Sequence, residues 1–153
     1  MDSSLPYLAV ASTLLVGAFA GVLFAAFLAI SPSLALLDGP AYTKVKQCQI
    51  RILQVAMSSI SIGYLVLGGV LAYYAPADVS RYTLISLGLV VLALIYSAFT
   101  DIPYNGQILK WDAANPPAGW EVTRRKWDTA NAVRMVPTLA AFIIQAYAIT
   151  LLK

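Results

Sequence analysis

Long stretches of this 153-residue chain carry no charge. No Asp, Glu, Lys or Arg lies between Asp2 and Asp38, Arg51 and Asp78, Arg81 and Asp101, or Arg134 and Lys153. Each interval holds about 18 or more residues, enough to cross roughly 30 Å of hydrocarbon at about 1.5 Å per helical residue. Hydrophobic residues make up 60% of the chain and charged residues 11%, against about 45–50% and about 25% in soluble domains. A unit this small has too little interior to hide that excess. The apolar runs are continuous rather than alternating, which reads as helices and not as barrel strands. The expectation is an all-α integral membrane protein, a four-helix transmembrane bundle forming one domain over residues 1–153. Its helices are placed near Tyr7–Ile30, Ile52–Tyr74, Tyr82–Thr100 and Thr129–Leu152.

The first run is not read as a cleaved secretory signal, because no Lys or Arg precedes Lys44 and the run is too long for a signal core. The net charge of +3 is read as a topological marker rather than a nucleic-acid footprint. Lys44, Lys46 and Arg51 fall by the first loop, and Lys110, Arg124, Arg125, Lys126 and Arg134 by the third, eight of the ten basic residues. Those two loops, residues 31–49 and 101–128, share one side, and positive residues favour the cytoplasm. Both termini are then expected on the opposite face. Ala75–Arg81 is a tight turn, so the second and third helices are antiparallel neighbours.

Polar residues inside the spans gather at the end nearest the two long loops. The second helix starts with Gln47, Arg51, Gln54, Ser58 and Ser61, spaced by three and four along one face. The fourth starts with Trp127, Asn131, Arg134 and Thr138, and Gln145 continues the stripe. The third ends with Tyr96, Thr100 and Asp101, followed by Asn105, and the first runs into Ser31-Pro32. Arg134 sits within a span beside Pro137, a placement costing roughly 2.5–3.5 kcal/mol unless it snorkels or finds a partner. The stripe favours an inward Arg134, paired with Asp101 or bonded to Asn131 and Asn105. Other features read as packing. Gly17, Gly21 and Ala25 form a small-residue ridge that lets helices approach and permits a homo-oligomer. Trp111, Trp120 and Trp127 suit an aromatic belt at the membrane interface, and Cys48 has no histidine to activate it.

The chain has one cysteine and no histidine. Haem, copper, mononuclear iron and catalytic zinc sites usually rely on imidazole, the carboxylates are few and scattered, and no Gly-rich phosphate or dinucleotide motif occurs. The expectation is no metal and no cofactor: any chemistry is left to side chains, a substrate and dioxygen.

Two segments resemble a known family. Asp101-Ile102-Pro103-Tyr104-Asn105 with Leu109 is similar to the x-x-Pro-x-Asn-x-x-Leu signature of the anthrone oxygenase-like proteins, small four-span membrane proteins. Trp127-Asp128-Thr129-Ala130-Asn131-Ala132-Val133-Arg134 resembles the Trp-x-x-x-Asn-x-x-Arg that opens their last helix. The resemblance implies oxidation of anthrones to anthraquinones in polyketide pathways with no recognised cofactor. One departure stands out: several relatives carry His where this chain has Ala132, so a mechanism needing that imidazole cannot operate here.

With that resemblance, the residues suggest a cofactor-independent membrane oxygenase or oxidase of a hydrophobic, phenolic substrate. Asp101 is the candidate base. Arg134, Asn131 and Asn105 face the developing negative charge, where one donor contributes about 3 kcal/mol. Trp127 and Tyr96 stack on the rings, and Gln54, Arg51, Thr138 and Gln47 line the substrate site. The expected partners are the substrate, dioxygen and the lipid bilayer, with no nucleic acid. The alternatives are a membrane cyclase or isomerase using acid–base chemistry, or a non-enzymatic lipid-binding or assembly protein. A microsomal glutathione-transferase reading fits poorly, because the second span lacks the charged motif that group carries there.

Overall fold

In the computed structural model, which describes residues 4–152, the chain is helical almost throughout. Asp2 and Lys153, the outer bounds of the first and last charge-free intervals, lie outside the described residues. The elements are α1 (Leu5–Ala25), a π-helical turn (Ala26–Ile30), α2 (Ser31–Leu34), α3 (Gly39–Tyr74), α4 (Ala77–Phe99), α5 (Asp101–Ile108) and α6 (Trp120–Ile149). Among the described residues, four helical runs are long and apolar enough to cross a membrane: Leu5–Leu34, Gly39–Tyr74, Ala77–Ile108 and Trp120–Ile149. The protein is a multi-pass integral membrane protein.

The helices reach further than the apolar runs that mark them. α3 begins at Gly39 rather than near Ile52, and α6 at Trp120 rather than near Thr129. Lys44, Lys46 and Arg51 end an apolar run without ending a helix, since basic residues are good helix formers. The start of α3 is set instead by Asp38, whose carboxylate accepts from the Ala41 N–H at 2.8 Å, with a proline in the first turn. At the start of α6, Gly119 takes φ +77°, a left-handed conformation that glycine adopts without a Cβ penalty. Residues 31–49 and 101–128, read as long loops, therefore shrink to connectors over 35–38 and 109–119.

Prolines shape what remains. Pro32 has no N–H to give and its ring crowds the preceding turn, and the helix widens into its π turn directly before it. Pro103 lies four residues after Phe99, and α4 breaks at Thr100 (φ −125°, ψ −81°) before restarting as α5. That break puts Asp101 on the first turn of a new helix.

Around the bundle α1 neighbours α3 and α6, and α4 neighbours the same two, so α1 and α4 occupy one diagonal. Val16, Phe19, Leu23, Tyr64, Val90 and Ala141 form the central core. Within it the Tyr64 hydroxyl donates to Ser86 Oγ and Ser86 Oγ donates to the Ala141 carbonyl, with Gln145 Oε1 3.3 Å from the same tyrosine oxygen. These bonds satisfy both hydroxyls, which hydrocarbon would leave unpaired, whereas Gln145 Nε2 has no partner. Large apolar side chains such as Leu14, Ile62, Leu92 and Ile143 point outward, as a lipid-facing surface requires. On the small-residue ridge, a Cβ at Gly17 would come 2.9 Å from the Phe142 ring, so α1 and α6 meet closely there; a Cβ at Gly21 would meet nothing within 4 Å.

Candidate active site

Between the helices lies a cavity of about 320 Å³, within the range of small-molecule sites. Phe19, Val22 and Leu23 of α1 and Ala26 of the π turn make an apolar wall. Facing it are Lys46, Gln49, Gln54, Met57, Ser58 and Ser61 of α3, Ser97 of α4, Asp101 and Asn105 of α5, and Trp127, Asn131 and Arg134 of α6. Some of the lining residues are exposed: Gln54 and Ser58 on α3, and Ile102 and Gly106 on α5. They mark a mouth on the side of the bundle between α3 and α5.

Arg134 turns inward. Its Nη1 donates to Ser97 Oγ and its Nη2 to Asn131 Oδ1, both at 3.0 Å, and its Nε lies 3.3 Å from Asp101 Oδ2. That last contact is ionic without hydrogen-bond geometry: Nε and both Asp101 oxygens lack a hydrogen-bond partner. Asp101 is 1% exposed. A buried carboxylate with a counter-charge and free lone pairs is an acceptor awaiting a donor. Asn131 Nδ2, also buried, is likewise unpartnered.

A second cluster adjoins the first. The Trp127 indole N–H donates to Asn105 Oδ1 at 2.8 Å, and the Lys46 ammonium stands 3.0 Å from the Trp127 ring centroid while donating to Gln49 Oε1 at 3.3 Å. Asn105 thus orients the indole rather than bonding Arg134 as expected. Among the described residues, Asp101 is the cavity's one carboxylate, and no three of the Cys, Asp and Glu side chains converge to hold a metal.

The predicted site residues divide. Asp101, Asn131, Arg134, Asn105, Trp127 and Gln54 line the cavity. Gln47 does not: its amide donates to the Ile108 and Trp111 carbonyls, both at 2.9 Å, and clamps the end of α5 to α3. Arg51 is exposed on the outside of α3, one residue round from the cavity face. Thr138 is buried, with its hydroxyl donating back to the Arg134 carbonyl. Tyr96 lies on a separate depression with Thr100, Tyr104 and Arg125. The three tryptophans differ in surroundings. Trp127 is buried, Trp111 packs beside it, and Trp120 stacks on Tyr42 at 4.8 Å.

Sequence reasoning missed Lys46, Gln49 and Ser97. A helix start near Ile52 leaves Lys46 among the loop charges. Its signal was present: Lys46, Ile50, Leu53, Met57 and Ser61 recur at helical spacing.

The anthrone oxygenase family profile matches residues 50–144. This chain belongs to the anthrone oxygenase family. The matched segment carries Asp101, Asn105, Trp127, Asn131 and Arg134, whereas Lys46, Gln49 and the α1 wall lie outside it. No curated protein and no solved structure is similar enough to add to this assignment. Ala132 does not line the cavity.

Proposed function

We infer that this protein is a cofactor-independent membrane oxygenase acting on a flat, phenolic, anthrone-like molecule bound in the cavity. The observation that carries the reading is Asp101, a buried carboxylate with two unbonded oxygens on the wall of a largely apolar chamber, 3.3 Å from a guanidinium. Such a group suits abstraction of an acidic C–H proton flanked by aromatic rings. Asn131 and Arg134 are the donors for the oxyanion that then develops. Trp127, held by Asn105, offers a ring face to the substrate.

The chemistry balances with dioxygen as sole oxidant. Asp101 takes one proton from the substrate CH₂, and the resulting anion adds dioxygen to give a carbon-bound hydroperoxide once reprotonated. Loss of the second C–H proton breaks the O–O bond, leaving a ketone and one water. One oxygen atom enters the product and the other leaves in the water.

The mouth between α3 and α5 suits entry of a lipophilic substrate from the bilayer. The basic residues beside the two connectors favour a cytoplasmic placement for this end of the bundle.

The test is conversion of a hydroxylated anthrone by the protein in lipid nanodiscs, followed with an oxygen electrode and by quinone absorbance. Oxygen uptake above that of protein-free discs, with ¹⁸O from labelled dioxygen in the new carbonyl, is expected. No acceleration over protein-free discs overturns the reading, and turnover of a related substrate without oxygen uptake indicates acid–base isomerisation instead.

A further inference from the structure

Lys46 is a buried ammonium, 1% exposed, whose polar contacts are the Trp127 ring and one amide oxygen. Among the described residues no carboxylate comes within ion-pair distance of it. The two that act on it through space are already engaged: Asp101 with Arg134 at 3.3 Å, and Asp128 with Arg124 at 4.0 Å. With Lys46 protonated, the cavity wall carries two cations and one anion. An uncompensated charge inside a bundle surrounded by hydrocarbon is costly. A bound anion would neutralise it, and the unpartnered Asn131 Nδ2 on the same wall adds a donor.

We propose that Lys46 is a specificity-determining residue that selects ligands carrying an ionised phenol or carboxyl group on an aromatic ring system. The apolar wall of Phe19, Val22 and Leu23 accepts the flat body, and Lys46 takes the anionic edge. This rests on the cavity being the substrate site, and it adds the charge that the substrate bears when bound. A lipid phosphate offers the same negative charge without the flat body.

Binding of anthraquinone-2-carboxylate and of the neutral anthraquinone-2-carboxamide to the full chain in phosphatidylcholine nanodiscs tests it, with partition into protein-free discs subtracted. The wild type is expected to prefer the carboxylate by at least about tenfold, the scale of one charged hydrogen bond. Lys46→Met and Lys46→Gln should both bring the preference within about twofold, and Lys46→Arg should keep it. Ligand-free melting temperature should stay level or rise in Lys46→Met, because the substitution removes an unpaired buried charge. An unchanged preference in both uncharged variants overturns the proposal. So does a drop of several degrees in Lys46→Met, which assigns the lysine to structure, or displacement of the probe by added phosphatidylglycerol, which assigns the anion to lipid. Selective binding without anthrone oxidation leaves the proposal standing and defeats the oxygenase reading; binding of neither probe defeats the proposal.

Discussion

Arg134 and Asp101 face each other across the junction of α6 and α5, with Nε 3.3 Å from Oδ2, yet no hydrogen bond closes between them. The guanidinium spends its two terminal nitrogens on Ser97 and Asn131. Those bonds hold its plane, and the carboxylate keeps its charge partner while its lone pairs stay free. A fully bidentate pair would stabilise the bundle more and leave the carboxylate fewer lone pairs for a substrate proton.

Removing one partner of this pair should therefore differ sharply from removing both. Arg134→Ala leaves a buried carboxylate alone and is expected to cost about 3–5 kcal/mol. Adding Asp101→Asn in the same chain should recover a large part of that loss. Thermal unfolding in detergent across the double-mutant cycle reads the coupling. Asp101→Asn by itself should fold yet lose nearly all anthrone turnover; wild-type turnover in that variant would remove Asp101 from the reaction.

Asn105 is expected to act through Trp127. Asn105→Leu leaves the buried indole N–H without an acceptor, a cost of about 1–3 kcal/mol. The indole should then turn, raising KM more than it lowers kcat. Trp127→Phe, which has no N–H to satisfy, should be milder in stability while still weakening binding. Equal kcat losses in both variants would mark a direct chemical role for Asn105 instead.

Gln47 is a clamp, not a ligand. Gln47→Leu breaks two bonds to the Ile108 and Trp111 carbonyls and should lower stability by about 1–3 kcal/mol. Hydrogen exchange should quicken over residues 109–119 and at the end of α5, with little change along α4. A change confined to substrate affinity, with exchange unaltered, would restore Gln47 to the binding site.

The lateral mouth can be closed without touching the chemistry. A Cβ at Gly106 meets nothing within 4 Å, and the position is helical with ordinary φ. Gly106→Phe should leave the melting temperature within a few degrees, lower kcat/KM for a bulky anthrone about tenfold or more, and spare a smaller phenolic ligand. Unchanged kinetics would place the entrance elsewhere.

Four spans could be read directly from the chain because charge exclusion from hydrocarbon acts on composition, with no reference to neighbours. The polar end of α6 was equally legible: Trp127, Asn131 and Arg134 repeat at helical spacing, and each lines the cavity. On α3 the stripe Gln54, Ser58 and Ser61 lines the cavity as well, but its first two residues, Gln47 and Arg51, do not. Arg51 is polar and in phase with Gln47 and Gln54, yet it points away, while Lys46 points in. Polar residues occur on both faces where a helix leaves the membrane, so periodicity there cannot select the inner one.

What the chain determined alone is the existence of four apolar helices, the end at which polar groups gather, and the family signature around Asn105 and Asn131. Tertiary structure decided which of those groups meet: Asn105 with Trp127, Lys46 over the same indole, and Arg134 with Ser97 and Asn131. The physical reason is that hydrophobic partition depends on each segment's own residues, whereas hydrogen bonds and ion pairs depend on how neighbouring helices are rotated. That rotation is set by packing contacts such as Gly17 against Phe142, far along the chain from one another.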